Sequence, residues 1–358
     1  MKFVFRTDAS IEIGTGHVIR CLTLADALTA KGATCEFICR DHPGNLIEQI
    51  CGKGYSVHRL PVRSDSDKDL KHSLWLGATQ LQDAQACAPI LAELKPDWLV
   101  SDHYALDFRW EDVLANLCRQ VMVIDDLADR PHRCKILLDQ TMGRDLNEYR
   151  LLVPRDCTLL CGSKFAILRP EFSRLRPISL QRRLKPQLKQ ILVSMGGVDK
   201  DNITSDVLAA LSQSNLPSDC KIKIVLGATA PWMNFVKKFT QKMRQPTEVH
   251  IDVKNMAQLM SESDLSIGSA GGSSWERCCL GLPSIIVVSA DNQIEIANNL
   301  EKINAAKIIR SKSDVISKLP TLLSKFSEVL SDLTLMSLAA RSIVSGEGTD
   351  YIVSKFEI

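Results

Sequence analysis

"RTDASIEIGTGHVIRCLTLADAL", residues 6–28, decides the fold of this chain. A short apolar run, "KFVFR" (2–6), leads into it and reads as a buried strand. Glycines follow at Gly14 and Gly16, and then Val18, Cys21, Leu22, Ala25 and Leu28 fall on one helical face. Gly32 ends that helix just beyond. A strand, a glycine turn and a helix form the opening unit of a doubly wound α/β domain. The turn itself has two readings. A dinucleotide fingerprint needs G-x-G-x-x-G, but here the third landmark is Ile19 and the segment before Gly14 is long for a tight turn. The other reading is a loop that offers His17 to a substrate. The glycines allow close backbone approach, and a helix N-terminus favours anionic oxygens. The helix dipole disfavours a charged ring at that position, and a neutral imidazole is a suitable general base for water. A histidine that only caps or packs is the plainer alternative.

The same alternation continues outward. "TCEFIC" (34–39), "YSVHRL" (55–60), "DWLVSD" (97–102), "VMVIDD" (121–126), "CKILLDQ" (134–140) and "CTLLCG" (157–162) read as buried strands, with helical patterns around 79–94 and 107–120. Strands alternating with helices imply a parallel sheet covered on both faces. Proline and basic residues then dominate "RLRPISLQRRLKPQLK" (174–189), which reads as a linker. "QILVSMGG" (190–197) restarts the pattern. A helix over 202–213 and strands at 221–227, 248–253, 264–270 and 283–289 follow. The expected division is a first domain over 1–173, the linker 174–189, a second domain over 190–345 and a terminal segment 346–358. Ligands in such sheets bind beyond the carboxyl ends of the strands, so two facing domains would enclose a cleft.

Composition narrows the class. The chain has 358 residues, 24 % charged, with a net charge of +2. That length suits two domains, and near-neutrality argues against nucleic acid as the main partner. No uncharged apolar window reaches membrane-spanning length. "MKFVFRTD" is too short an apolar run for a signal peptide, and the twelve cysteines show no CxxC pair. They read as buried free thiols of a cytoplasmic protein.

Further motifs carry candidate chemistry. In "SMGGVD" (194–199), Gly196 and Gly197 either leave backbone N–H groups for a diphosphate or form an ordinary turn. In "GSAGGSSWE" (268–276), Ser273 and Ser274 are placed to cap a helix whose N–H groups aim at phosphate. Glu276 lies just inside, as a ribose acceptor or a capping carboxylate. Met256 in "NMAQLMSESD" (255–264) is core or flanks a base. Asn292 and Gln293 in "ADNQ" suit sugar hydroxyls or helix capping. "SDHYALD" (101–107) ends a strand with Asp102, His103 and Tyr104, and "IDDLADR" (124–130) ends another with Asp125 and Asp126. These point into the expected cleft, although turn chemistry also explains the Asp pair. No cluster has metal-ligand spacing.

Together, "FRTDASIEIGTGHVIRCLTLADAL", "SDHY", "IDD", "CGSKFAILRPEF", "SMGG", "NMAQLM" and "SAGGSSWE" resemble the UDP-2,4-diacetamido-2,4,6-trideoxy-β-L-altropyranose hydrolase family of pseudaminic acid biosynthesis. The resemblance covers about residues 1–310. "SAGGSSWE" is shared more loosely with glycosyltransferases of the type that makes lipid II. The resemblance implies a GT-B fold: α/β, with two Rossmann-like doubly wound domains facing across a cleft and UDP held mainly by the second. It implies metal-independent hydrolysis without a cofactor, in which water attacks the anomeric carbon with inversion and UDP leaves. His17 would be the base, Glu276 would contact the nucleotide, and Arg169 would contact substrate. His103 and Tyr104 would line the sugar pocket. Helix N-termini at 197–202 and 272–276 would meet the charge of the leaving diphosphate. The implied partner is a UDP-sugar, without membrane or nucleic acid, for a cytoplasmic monomer serving flagellin glycosylation. A GT-B glycosyltransferase using a UDP-sugar donor is the alternative. Residues 311–358 match no functional motif.

Overall fold

The computed structural model describes residues 1–356. The chain forms two compact units, one of residues 1–167 together with the stretch from Gly348 onward, the other of residues 168–347.

In the first unit β1 (Lys2–Thr7), β2 (Thr34–Arg40), β3 (Ser56–Leu60), β4 (Trp98–Asp102), β5 (Gln120–Ile124), β6 (Ile136–Asp139) and β7 (Thr158–Cys161) form one sheet. The order is β3-β2-β1-β4-β5-β6-β7 and every pairing is parallel. Strands covered on both faces need continuous apolar runs, and β4 is buried along its whole length. The helices before the domain junction are α1 (Gly16–Thr29), α2 (Ile47–Gly52), α3 (Gln80–Leu94), α4 (Phe108–Leu114) and α5 (Leu146–Tyr149). The sheet order reverses direction between β1 and β4. Their ends are in register, Thr7 opposite Asp102, so α1 begins beside the crevice of this switch point.

The second unit repeats the plan. β8 (Gln190–Ser194), β9 (Lys221–Leu226), β10 (Thr247–Ile251), β11 (Leu265–Gly268), β12 (Ser284–Val287) and β13 (Ala306–Ile309) are ordered β10-β9-β8-β11-β12-β13. All pairings are again parallel. The helices are α6 (Pro170–Arg182), α7 (Ile203–Gln213), α8 (Met233–Thr240), α9 (Met256–Glu262), α10 (Ser273–Cys279), α11 (Ile294–Lys302), α12 (Val315–Glu328) and α13 (Ser331–Arg341). Here the switch point lies between β8 and β11, where the two glycine-rich turns emerge.

Two expected boundaries are corrected. Most of the 174–189 linker is α6, with Pro170 in its first turn. Two arginines of this stretch satisfy carbonyls of the second unit, whereas Arg182 pairs with Asp264 and Arg174 is exposed. Arg176 donates to Val344 O (2.9 Å) and Arg341 O (2.7 Å), and Arg183 to Leu280 O, Ser263 O and Met260 O at 2.9–3.1 Å. Helix and loop ends leave carbonyls unpaired, and a guanidinium brings five donors. The 346–358 segment is not separate either. From Gly348 the chain returns to the first unit, where Phe356 packs edge-on against Phe3 (5.0 Å) and Trp98 (4.8 Å).

The cysteines are free thiols, but Cys51 is exposed, unlike the buried set expected. Among the described residues no helix is long and apolar enough to cross a membrane.

Candidate active site

The first-unit site is built around the start of α1. Gly14 has φ +82°, a conformation glycine adopts without strain, and open space surrounds the position of an added Cβ at both Gly14 and Gly16. His17 follows in the first helical turn and is largely buried. Its Nδ1 donates to Asp102 Oδ1 at 2.6 Å from the end of β4. That bond fixes the ring and its tautomer, and leaves the Nε2 lone pair as the basic position. Arg20, one turn along α1, grips the same carboxylate with two nitrogens (2.6 and 2.8 Å) and reaches Asp126 Oδ2 at 2.5 Å. Burial pushes the Asp102 carboxyl up. Arg20 and His17 outweigh that and hold it well below the usual carboxylate range. Tyr104 donates to Asp126 Oδ2 (2.8 Å) and sets its ring edge-on to His17 at 4.5 Å. Burial, then Asp126, pushes the Tyr104 phenol well above its ordinary value, so it stays a donor.

With His17 neutral, this group holds two carboxylates and one guanidinium. A proton taken by His17 would make the charges balance, and the imidazolium would form against a carboxylate already in place. This is the arrangement of a general base with its orienting partner.

His103 points elsewhere. It is buried, its Nδ1 accepts from Ala105 N (3.1 Å), and its Nε2 stands 3.4 Å from Asp8 Oδ2. Asp8 in turn pairs with Arg6 (2.7 Å). Burial, opposed by Asp8, lowers the pKa of His103. Its contacts therefore belong to a buried ion cluster under the loop. Asp125 is also turned inward. It pairs with Arg130 (2.9 Å) and accepts from Tyr149 Oη (2.8 Å), whereas Asp126 joins the His17 group.

The second-unit site gathers both glycine-rich turns. A Cβ on Gly196 (φ +89°) would lie 3.8 Å from Ser269 Oγ, so the turns after β8 and β11 are neighbours. A Cβ on Gly227 would sit 2.0 Å from Gly197 O, which explains the glycine after β9. The N-terminus of α7 is not open to a diphosphate as expected. Asp199 fills it, accepting from Ile203 N and Thr204 N, each at 2.9 Å. Nor do Ser273 and Ser274 cap α10. They lie within its first turn, and their hydroxyls accept from Arg277 at 3.2 and 3.0 Å.

Arg277 carries the most information here. It is buried, donates to Ser269 O at 2.6 Å, and has no carboxylate in ion-pair contact among the described residues. A Cβ on Gly268 would come within 2.6 Å of it. Burial lowers the guanidinium to about 10, so it remains charged at neutral pH. A positive charge thus lies directly beneath the turn of residues 268–274. Above it, Glu276 stands 3.5 Å from Arg169, which also pairs with Glu171 (3.1 Å). Burial raises the Glu276 pKa against the pull of Arg169 and Arg277. Gln293 Oε1 accepts from Ala270 N (3.4 Å) and Ser289 N (3.1 Å), linking this turn to the end of β12. Asn292 is exposed and Met256, opening α9, is half-buried.

The sequence set Asp102 and Asp126 at the expected cleft without a chemical role, and gave Arg20 and Arg277 none. A signal existed for Arg20, since residues three apart on a helix share a face with His17. The other three depend on tertiary approach. Among the described residues no group of three His, Cys, Asp or Glu is placed to hold a metal.

Comparison with known proteins gives this chain relatives and a fold. Residues 190–344 match the glycosyltransferase family 28 C-terminal domain. The family 28 domain therefore coincides with nearly all of the second unit. The chain is 29 % identical to the UDP-2,4-diacetamido-2,4,6-trideoxy-beta-L-altropyranose hydrolase of Campylobacter jejuni, over 75 % of this chain and 85 % of that one. The resemblance read from the sequence stands. It is 28 % identical to the spore coat polysaccharide biosynthesis protein SpsG of Bacillus subtilis, over 95 % and 93 % of the two chains. An uncharacterized protein of Methanocaldococcus jannaschii is 26 % identical over 85 % of this chain, which spans 59 % of that protein's length. In fold, the chain matches the crystal structure of Acinetobacter baumannii MurG with a TM-score of 0.70 at 16 % identity, covering 99 % and 98 % of the chains. The fold is the two-domain GT-B type, and the chain is related to enzymes of nucleotide-sugar chemistry.

Proposed function

We propose that this chain is a nucleotide-sugar hydrolase acting on a UDP-linked 2,4-diacetamido-2,4,6-trideoxyhexose, in the manner named for its Campylobacter jejuni relative. The observation that carries this reading is the His17–Asp102 pair at 2.6 Å, held by Arg20 at the switch point of the first unit. In the proposed reaction His17 Nε2 takes a proton from water as the water oxygen bonds to the anomeric carbon. The bond from that carbon to the diphosphate oxygen breaks, its electron pair leaves with UDP, and the configuration inverts. Asp102 stabilises the imidazolium that forms.

The family 28 domain supplies the leaving-group side. Arg277 under the 268–274 turn provides fixed positive charge where a diphosphate would develop more negative charge, so the reading requires no metal. Gly196, Gly197, Gly271 and Gly272 let phosphate oxygens approach the backbone. Glu276 accepts from the ribose, with Arg169 orienting it. Met256 flanks the base, while Asn292 and Gln293 contact sugar hydroxyls. Tyr104 completes the sugar side, whereas His103 acts through Asp8 and the loop above it.

A second reading, transfer of the sugar to an acceptor hydroxyl, is favoured by the family 28 match itself. One experiment separates the two. The purified protein is incubated with the UDP-linked diacetamido sugar, a chelator and no acceptor. UDP release at an undiminished rate is expected. Release that depends on an added acceptor would replace hydrolysis with transfer.

A further inference from the structure

The segment 61–79, between β3 and α3, is pinned throughout its length. Arg63 N donates to Gly77 O (2.8 Å) and Leu70 N to Ser73 Oγ (3.1 Å). Asp67 accepts from Gln80 N (2.7 Å), and Asp69 pairs with Arg109 (2.5 Å). Gly77 has φ +62°, and a Cβ there would meet His42 Cε1 at 2.7 Å, so the segment lies tight against the sheet end. These anchors hold a short 3-10 turn, Ser73–Leu76, whose Leu76 is buried in the core.

That turn places two half-buried aromatic side chains beside the proposed base. Trp75 lies nearly parallel to Tyr104, with ring centres 5.9 Å apart and planes 24° from each other. His72 touches both, at 4.3 Å from Trp75 and 5.5 Å from Tyr104. Tyr104 is itself 4.5 Å from His17. The four rings form one continuous series that begins at the proposed base. Burial, then Lys71, lowers the His72 pKa against the pull of Asp129, so the ring offers an uncharged face at neutral pH. An aromatic face left partly open next to a base favours a ligand with its own apolar surface.

The chemistry of the proposed substrate supplies that surface. Its anomeric carbon must lie near the water activated by His17. A sugar laid along this series of rings would bring its opposite edge to Trp75 and His72. On a 2,4-diacetamido-2,4,6-trideoxyhexose that edge carries a methyl group at C6 and an acetamido methyl at C4, where common hexoses carry hydroxyls.

We propose that Trp75 and His72, presented by the 61–79 segment against Tyr104, form an apolar wall that selects sugars deoxygenated at C6 and acylated at C4. This inference rests on the hydrolase reading for the placement of the sugar.

The test measures affinity and discrimination together. Turnover of the UDP-linked diacetamido sugar and of UDP-N-acetylglucosamine is compared for the wild type, Trp75→Ala and Trp75→Phe. The expected result for Trp75→Ala is a rise in KM for the diacetamido sugar of about tenfold, with kcat, UDP affinity and melting temperature nearly unchanged. Its preference over UDP-N-acetylglucosamine falls by a similar factor, and Trp75→Phe retains most of it. Unchanged KM and preference would overturn the proposal. So would a loss shared equally with UDP binding or melting temperature, which would make Trp75 a mere prop. Calorimetric binding of the diacetamido sugar nucleotide to His17→Asn, with and without Trp75→Ala, keeps the two readings apart. Trp75-dependent binding with no turnover by the wild type would sink the hydrolase and keep the wall, whereas absence of binding would sink both.

Discussion

Asp102 is bonded by both His17 and Arg20, and each constrains what it can do. Bonded to His17 and gripped by Arg20, it stays ionised through the physiological range and orients the imidazole without taking its proton. Asp102→Asn should therefore lower kcat by about 10²–10⁴-fold while leaving UDP affinity intact. Steady-state kinetics beside UDP calorimetry checks this. Arg277 acts on the other half of the chemistry. Arg277→Met removes the charge beneath the 268–274 turn and should weaken UDP binding about tenfold, read by the same calorimetry. Glu276 adds a pH dependence with a definite sign. Its folded pKa is raised by burial, so protonation begins at a higher pH than for an ordinary glutamate. The ribose acceptor is lost as pH falls through that value. UDP-sugar affinity should drop on the acid side in the wild type, and Glu276→Gln should be weaker at neutral pH but flat across that range. His17 is a candidate in the sequence because glycines precede it on a strand-to-helix junction and, above all, because of the family resemblance. Asp102 was visible as a polar strand end, but its bond to a residue 85 positions away is a product of sheet order. Arg277 reads in sequence as an ordinary helical charge, and only burial under a glycine turn distinguishes it.

Elements were read well where periodicity is strong and poorly where charge obscured it. Parallel strands buried on both faces announce themselves as apolar runs, and those around β1, β4 and β8 lie where the runs do. Among the elements not read individually, α6 and β13 show why. α6 carries prolines and arginines that suggest a solvated connection, yet the guanidiniums of Arg176 and, just beyond its end, Arg183 are taken up by backbone carbonyls. β13 is a short edge strand, "AKII", whose lysine breaks the apolar pattern. The 61–79 segment carries no periodic signal, because its order comes from anchors at both ends. Gly77 gives that order a test. Gly77→Ala forces an L side chain into a left-handed conformation against His42, and should cost about 1–3 kcal/mol in chemical denaturation. Because the aromatic turn depends on this anchor, its sugar KM should rise in parallel.

At the scale of the whole molecule, the two units are interleaved in sequence, because the second lies between residue 167 and residue 348 of the first. Two doubly wound domains were readable from two strand–glycine–helix openings and the GT-B type from the family resemblance, but the closing return of the chain was not readable. The short helix Gly348–Val353, followed by one Phe, looks expendable until Phe356 is found against Phe3 and Trp98. Phe356→Ala should destabilise the first unit by about 3–5 kcal/mol. Calorimetric melting should then show the first unit unfolding earlier, with UDP still protecting the second.

The central claim is that His17, oriented by Asp102, delivers water to an anomeric carbon. The measurement that tests it most directly is turnover of the UDP-linked diacetamido sugar in isotopically labelled water, without acceptor, by the wild type and by His17→Asn. Label is expected at the anomeric hydroxyl of an inverted sugar and none in UDP, with a rate in His17→Asn lower by about 10²–10⁴-fold. Label in the phosphate, or undiminished turnover by His17→Asn, would contradict the claim.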